Sequence, residues 1–239
     1  MYQLHDLQSV SAPPKPRTTI AGFAGVILFC LVGAVSLVII GLYLPATAAH
    51  GYWFISRSSG VVAYLLLTLG VLWGLVQSGA LFRTRASPLL ALGLHSYLSW
   101  LGLGLALLHG IILLNDSYMD MGVAQIGIPF VSTYRPLPMG LGIIGFYLML
   151  LLTLSFYARP YLGQRAFRTL HYASFGVFVM VTAHGVLAGT DSWPLWWMYA
   201  ASVGAVVALT AARILSTRAA AFIRTGAKTD SPQRKIVHS

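Results

Sequence analysis

The chain has 239 residues, of which 57% are hydrophobic and only 8% charged, with a formal net charge of +10 and a mean hydropathy of +0.77. A soluble domain of this length carries roughly 25% charged residues, so the composition excludes a water-soluble globular enzyme and requires a polytopic membrane protein. The positive charge does not point to nucleic acid, because the basic residues fall in short loops and at the two ends instead of on one soluble face.

Residues 1–19 hold Pro13, Pro14 and Pro16 beside Lys15 and Arg17 and show no apolar period, which reads as a flexible cytoplasmic tail. The first apolar run, Ile20 to Leu44, is long enough to span a bilayer and contains Cys30, the only cysteine, so no disulfide can form within the chain. It ends in Ala46-Thr47-Ala48, which resembles a signal-peptidase site. The apolar part of a signal peptide is usually about 7–15 residues, so a retained helix is expected.

Five more runs follow: Gly60 to Ala80, Pro88 to Leu114, Met139 to Ala158, Phe167 to Leu187, and Leu195 to Leu215. Each holds about 20 residues, enough at about 1.5 Å per residue to cross roughly 30 Å of hydrocarbon. None alternates as the strands of a membrane barrel would. The expected fold is therefore an all-α bundle of six transmembrane helices over residues 20–217, followed by a basic cytoplasmic tail, 218–239, whose simplest role is attraction to anionic lipid.

Thirteen of the fifteen Lys and Arg residues fall on one side of this arrangement, and only Arg57 and Arg135 on the other. The positive-inside rule makes the basic side cytoplasmic and places both termini there. Trp53, Trp193, Trp196 and Trp197 gather at the opposite ends of the spans, as an interfacial belt does. In the Asn115 to Pro138 loop, the Ile126 to Val131 segment either covers the outer mouth of the bundle or lies on the headgroups.

The third run carries His95 and His109, and the fifth carries His171 and His184. An imidazole inside hydrocarbon is costly unless a partner or ligand offsets it, and two matched pairs on parallel helices ask for a ligand. The spacing of 14 residues from His95 to His109 is close to four helical turns, so these two share a face. The 13 residues from His171 to His184 return less well, which requires a local distortion of that helix or a relative rotation of what the histidines hold. Separations of about 21 and 19.5 Å along the axes suit two stacked cofactors and are too long for one ion with four histidine ligands. Matched by height, His95 pairs with His171 at the inner level and His109 with His184 at the outer. The ligand this pattern points to is haem, two per chain, each iron held by two histidines and suited to electron transfer.

Gly93, Gly102, Gly104, Gly110, Gly176 and Gly185 would make room for flat macrocycles, although close helix packing is the ordinary reading of such glycines. Arg57 and Arg168 are candidates to meet haem propionates, or simply to set topology. Gly140-Leu141-Gly142-Ile143-Ile144-Gly145 matches G-x-G-x-x-G but has no strand before it, so helix packing accounts for it better than a nucleotide. The chain has no Glu, and no Asp lies in the spans, so a carboxylate proton relay is absent.

Trp53 to Gly60, Leu94-His95, His109-Gly110, Pro129-Phe130, Arg168 to His171 and His184 to Asp191 together resemble the ferric reductase-like transmembrane domain of ferric reductases and NADPH oxidases. The likeness runs from about residue 20 to 217. It implies a six-helix bundle in the plasma or inner membrane, with two b-type haems passing electrons across it. Family members that act alone continue into a cytoplasmic flavin and nicotinamide domain, and only about twenty residues follow the last span here. The expected role is therefore that of an oxidoreductase component. It would take electrons from a separate cytoplasmic donor or quinol and pass them to an outside acceptor such as ferric chelate, dioxygen or a periplasmic redox protein. The alternatives are the haem subunit of a quinol-linked repair system, a soft-metal transporter, and a haem-free structural subunit.

Overall fold

Hydrocarbon offers no partner to a free N–H or C=O, so an apolar chain satisfies its backbone within helices. The computed structural model, which describes residues 45–78, 88–116, 119, 121–189 and 192–229, follows that rule: its regular elements are all helical. In order they are α1 (Pro45–Ser78), α2 (Pro88–Ile112), a 3-10 turn (Leu113–Asn115), α3 (Val123–Gly127), α4 (Pro136–His171), α5 (Ala173–Ala188) and α6 (Trp196–Thr229). Proline opens α4, where its fixed φ suits the first turn and its missing N–H costs nothing.

The protein is a multi-spanning α-helical membrane protein, but the expected six transmembrane helices are not what the structure contains. Among the described residues four helices are long and apolar enough to cross: Gly51–Gln77, Ala91–Asn115, Pro136–His171 and Trp196–Ala219. The expected first span, 20–44, lies outside the described residues. The expected fifth span is divided between two helices. Helical structure continues past Ala158 through Pro160, and α4 consists of two helical segments joined across a kink at Gly163 (φ 74°, ψ 160°); residues 167–171 lie in the second segment. What remains is α5, a helix of 16 residues and about 24 Å, short of the roughly 30 Å of a hydrocarbon core. Hydropathy marks where the apolar residues stop, whereas backbone hydrogen bonds decide where a helix stops, and around residues 159–172 the two disagree. Likewise α6 runs on to Thr229, beyond its apolar part, so the first half of the expected basic tail extends that helix.

Helix α1 is the hub, packing along α2 and touching α5 and α6, while α4 packs mainly on α5. Large apolar side chains such as Leu69, Leu107, Leu151, Val179 and Val207 stand exposed around the outside, a surface only lipid tolerates. Hydroxyls inside the spans turn back onto their own helices: Thr68 donates to the Tyr64 carbonyl, Thr153 to Met149, Thr182 to Phe178 and Thr210 to Val206. At mid-height Leu103 of α2, Met149 and Leu152 of α4 and Val177 of α5 form one buried cluster, and Val177 is only 1% exposed.

Candidate functional site

The four membrane histidines come together as two facing pairs. The rings of His95 and His171 have centroids 5.9 Å apart with planes at 68°, and those of His109 and His184 are 6.1 Å apart at 76°. His171 is the last residue of α4, and the chain tightens just after it. The Tyr172 amide donates to the Arg168 and Thr169 carbonyls, and the Phe175 amide reaches back three residues to Tyr172. Three-residue turns overwind a helix, which is in the direction a 13-residue spacing needs to bring both rings towards one side.

Each member of the His109/His184 pair is oriented by the backbone of a different helix. His109 Nδ1 lies 2.7 Å from the Ser56 carbonyl of α1, and His184 Nδ1 lies 2.9 Å from the Pro138 carbonyl of α4. A carbonyl only accepts, so both Nδ1 atoms carry the proton and both Nε2 atoms keep a free lone pair on the far side of the ring. Two glycines allow this seating. A methyl on Gly60 would stand 2.9 Å from His109 Nδ1, and one on Gly142 only 2.6 Å from His184 Nδ1. The G-x-G-x-x-G run is thereby explained sterically: Gly140 seats the Phe130 ring, Gly142 the His184 ring, and Gly145 the Val181 side chain. Arg57 stacks on Trp53, its guanidinium carbon 5.3 Å from the ring centroid, and lies within electrostatic reach of both rings of this pair.

The loop after α2 closes this end. Ile126 rests on Gly110 beside His109, the Tyr147 hydroxyl donates to the Gly127 carbonyl at 2.6 Å, and Arg135 donates to the Leu187 carbonyl. Phe130 takes a left-handed backbone (φ 66°) to lay its ring on Gly140.

The His95/His171 pair is built differently. Phe167 stacks on His171 at 5.6 Å, and Arg159 sits 5.5 Å over Phe167. Both Nδ1 atoms are buried without a well-formed hydrogen bond, although the backbone of Gly70 lies close to His95. Between them opens a cavity of about 320 Å³, lined by apolar and aromatic side chains, with Arg159, Arg168 and Arg213 also on its wall. Gly70 and Gly74 of α1 form a flat stretch of that wall: a methyl on Gly70 would meet nothing within 4 Å, and one on Gly74 would approach only the His95 ring, at 3.9 Å.

Helix α2 and helix α5 do not pack closely on each other, whereas α1 and α4 each touch both. At the other level, His109 and His184 are partly buried side chains inside the bundle. Among the described residues no three His, Cys, Asp or Glu side chains converge on one point; the donors come in twos. Comparison with protein families, curated proteins and solved structures finds no match. The geometry of the two pairs therefore carries the functional argument.

Several site residues escape a reading of the sequence. The carbonyls of Ser56 and Pro138 have no side-chain signature. Gly70 and Gly74 carry no sequence sign of a ligand, yet they face a cavity. Arg213 falls within the last apolar run of the sequence, and only the fold puts it on the wall of the His95/His171 cavity. Of the glycines singled out for macrocycle room, Gly102 meets Met149 and Leu66, Gly110 meets Ile126 and Gly185 meets Tyr199, so these three serve packing. Gly93 and Gly176 face open space.

Proposed function

We propose that this membrane protein conducts electrons across the bilayer through two b-type haems, one between His95 and His171 and one between His109 and His184. The proposal includes membership of the ferric reductase-like transmembrane family that the sequence resembles. The observation that carries it is the pair of hydrogen bonds from His109 and His184 to the Ser56 and Pro138 carbonyls. They turn both Nε2 lone pairs away from the backbone and raise ligand basicity, as the outer hydrogen bond of a metal-bound histidine does. Two imidazoles on opposite sides of one metal, each nitrogen about 2 Å from it, have ring centroids about 6 Å apart, in keeping with the 5.9 and 6.1 Å separations. Direct aromatic pairs fall in the same range of about 4.5–7 Å, so the separation is joined to the cavity beside His95 and His171.

A haem held this way passes one electron at a time and leaves its iron no open position for a gas. The chain does the rest. Opposed imidazoles at two heights define two stations, about 20 Å apart along the helices. The close-packed layer of Leu103, Met149, Leu152 and Val177 keeps water out of the space between them. With no carboxylate in the spans to relay protons, that layer separates electron movement from proton or ion movement. Electrons enter from a separate cytoplasmic donor or quinol and leave to an outside acceptor: ferric chelate, dioxygen or a periplasmic redox protein.

The test is haem per chain, measured by pyridine haemochrome on monodisperse protein, with the visible spectrum of each variant. The parent should hold two low-spin b-type haems. His95→Ala with His171→Ala removes both ligands of one site and should leave about one haem. His95→Ala with His109→Ala breaks both sites and should leave almost none, because the members of one pair act as a unit. A colourless parent sinks the proposal. Equal losses in the two double variants sink the pairing.

A further inference from the structure

We propose that Arg168 and Arg213 form the receptor for paired carboxylates at the His95/His171 cavity, taking the propionates of the haem held there; this rests on the haem reading above. Three arginines line the cavity, from two helices. Arg159 is already engaged: its Nε donates to Gln164 Oε1 at 2.9 Å, and its guanidinium covers the Phe167 ring. Among the described residues, the guanidiniums of Arg168 and Arg213 have neither a hydrogen bond nor an ion pair. The one acidic residue among the described residues, Asp116, follows α2 at the opposite end, beyond His109.

Arg213 is the telling residue. A topology-setting arginine works from the lipid–water boundary, where Arg218 stands exposed on the same helix. Arg213 lies five residues further in along the same span, about 7.5 Å along the axis, and unlike Arg218 it is only partly exposed and on the wall of the cavity. A guanidinium held at that depth calls for an anion to offset its burial. Arg168 sits at the exposed rim of the same cavity, three residues before His171. The receptor is thus two planar forks at one end of an apolar chamber. The matching ligand is a flat apolar body with two carboxylates on one edge, which guanidinium forks hold in a bidentate way. The phosphate of an anionic lipid headgroup shares part of that chemistry, and the experiment separates the two.

The full-length protein is purified in a non-ionic detergent and reconstituted into vesicles of phosphatidylcholine alone or with phosphatidylglycerol. The parent should hold two haems per chain in either vesicle. Arg168→Gln with Arg213→Gln should fall to about one, and its remaining haem should keep the spectrum and midpoint potential of the His109/His184 site. Arg213→Lys should restore part of the loss, and Arg218→Gln should lose nothing. A second arm needs no variant. Haem-depleted parent is titrated with haem and with haem dimethyl ester, whose carboxylates are blocked. The ester should bind the His95/His171 site about tenfold or more weakly, the minimum for losing a charge-assisted contact. Two haems retained in the double glutamine variant, or ester binding as well as haem, overturns the inference and leaves the haem reading standing. Haem loss that appears only when phosphatidylglycerol is present assigns the arginines to lipid and also overturns it. A parent without haem overturns both.

Discussion

Replacing Gly142 by alanine tests the seating of His184 directly. The added methyl would stand 2.6 Å from Nδ1 and 2.8 Å from both Cε1 and Cγ, where carbon contacts settle at about 3.5–4.0 Å, so the ring must retreat by about 1 Å. Retreat stretches the 2.9 Å bond to the Pro138 carbonyl beyond the range of a useful hydrogen bond. Losing that bond costs about 0.5–1.5 kcal/mol and the overpacking about 1–3 kcal/mol, while alanine returns up to about 1 kcal/mol of helix propensity. The net expectation is a destabilisation of about 1–3 kcal/mol, with the loss confined to the His109/His184 station. Thermal unfolding in detergent, haem per chain and the midpoint potential of each haem give the readout. Gly204→Ala, whose methyl meets nothing within 4 Å, is the control and should keep both potentials at parent values while gaining up to about 1 kcal/mol of stability from helix propensity. In a His184→Ala background the clash has no ring to strike, so Gly142→Ala should cost almost nothing there. If Gly142→Ala leaves stability and both potentials at parent values, the ring is not seated by that glycine and the argument from close approach fails.

Other changes probe the remaining parts. Gly70→Ile pushes a branched side chain into the cavity beside His95 and should lower the haem content from two to about one without unfolding the bundle; an unchanged count would show the cavity to be irrelevant to the cofactor. Tyr147→Phe removes the 2.6 Å bond to the Gly127 carbonyl and should cost about 0.5–1.5 kcal/mol. Amide exchange over 123–127 should then quicken while haem content holds. Unchanged exchange would mean that this bond does not hold α3 in place.

How much was legible in advance can be argued residue by residue. The boundary at Ala158 is legible as a drop in hydropathy, since Arg159 and Pro160 follow it, but the helix runs on. The first segment of α4 carries on past Arg159 and Pro160 and breaks at Gly163, whose positive φ suits glycine, before a second segment runs to His171. The 13-residue step from His171 to His184 leaves open a distorted helix or a rotation of what the histidines hold, and the backbone adds a tight turn at Tyr172. The G-x-G-x-x-G run was readable as packing, but not that its middle glycine sits against His184, 42 residues away in sequence.

By itself the sequence determined the membrane class, the all-helical fold and the grouping of four histidines into two heights. Each of these depends on local quantities: transfer of side chains into hydrocarbon, satisfaction of the backbone within one segment, and residue counts along an axis. Tertiary structure decided how many helices reach across the hydrocarbon, which carbonyl orients each ring, and that Gly70 and Arg213 border the cavity of His95 and His171. Those facts depend on contacts between segments far apart in the chain: Ser56 and His109 are 53 residues apart, and Pro138 and His184 are 46. An imidazole's direction is set by the neighbour it meets, and no pattern along one helix records which neighbour the fold will bring.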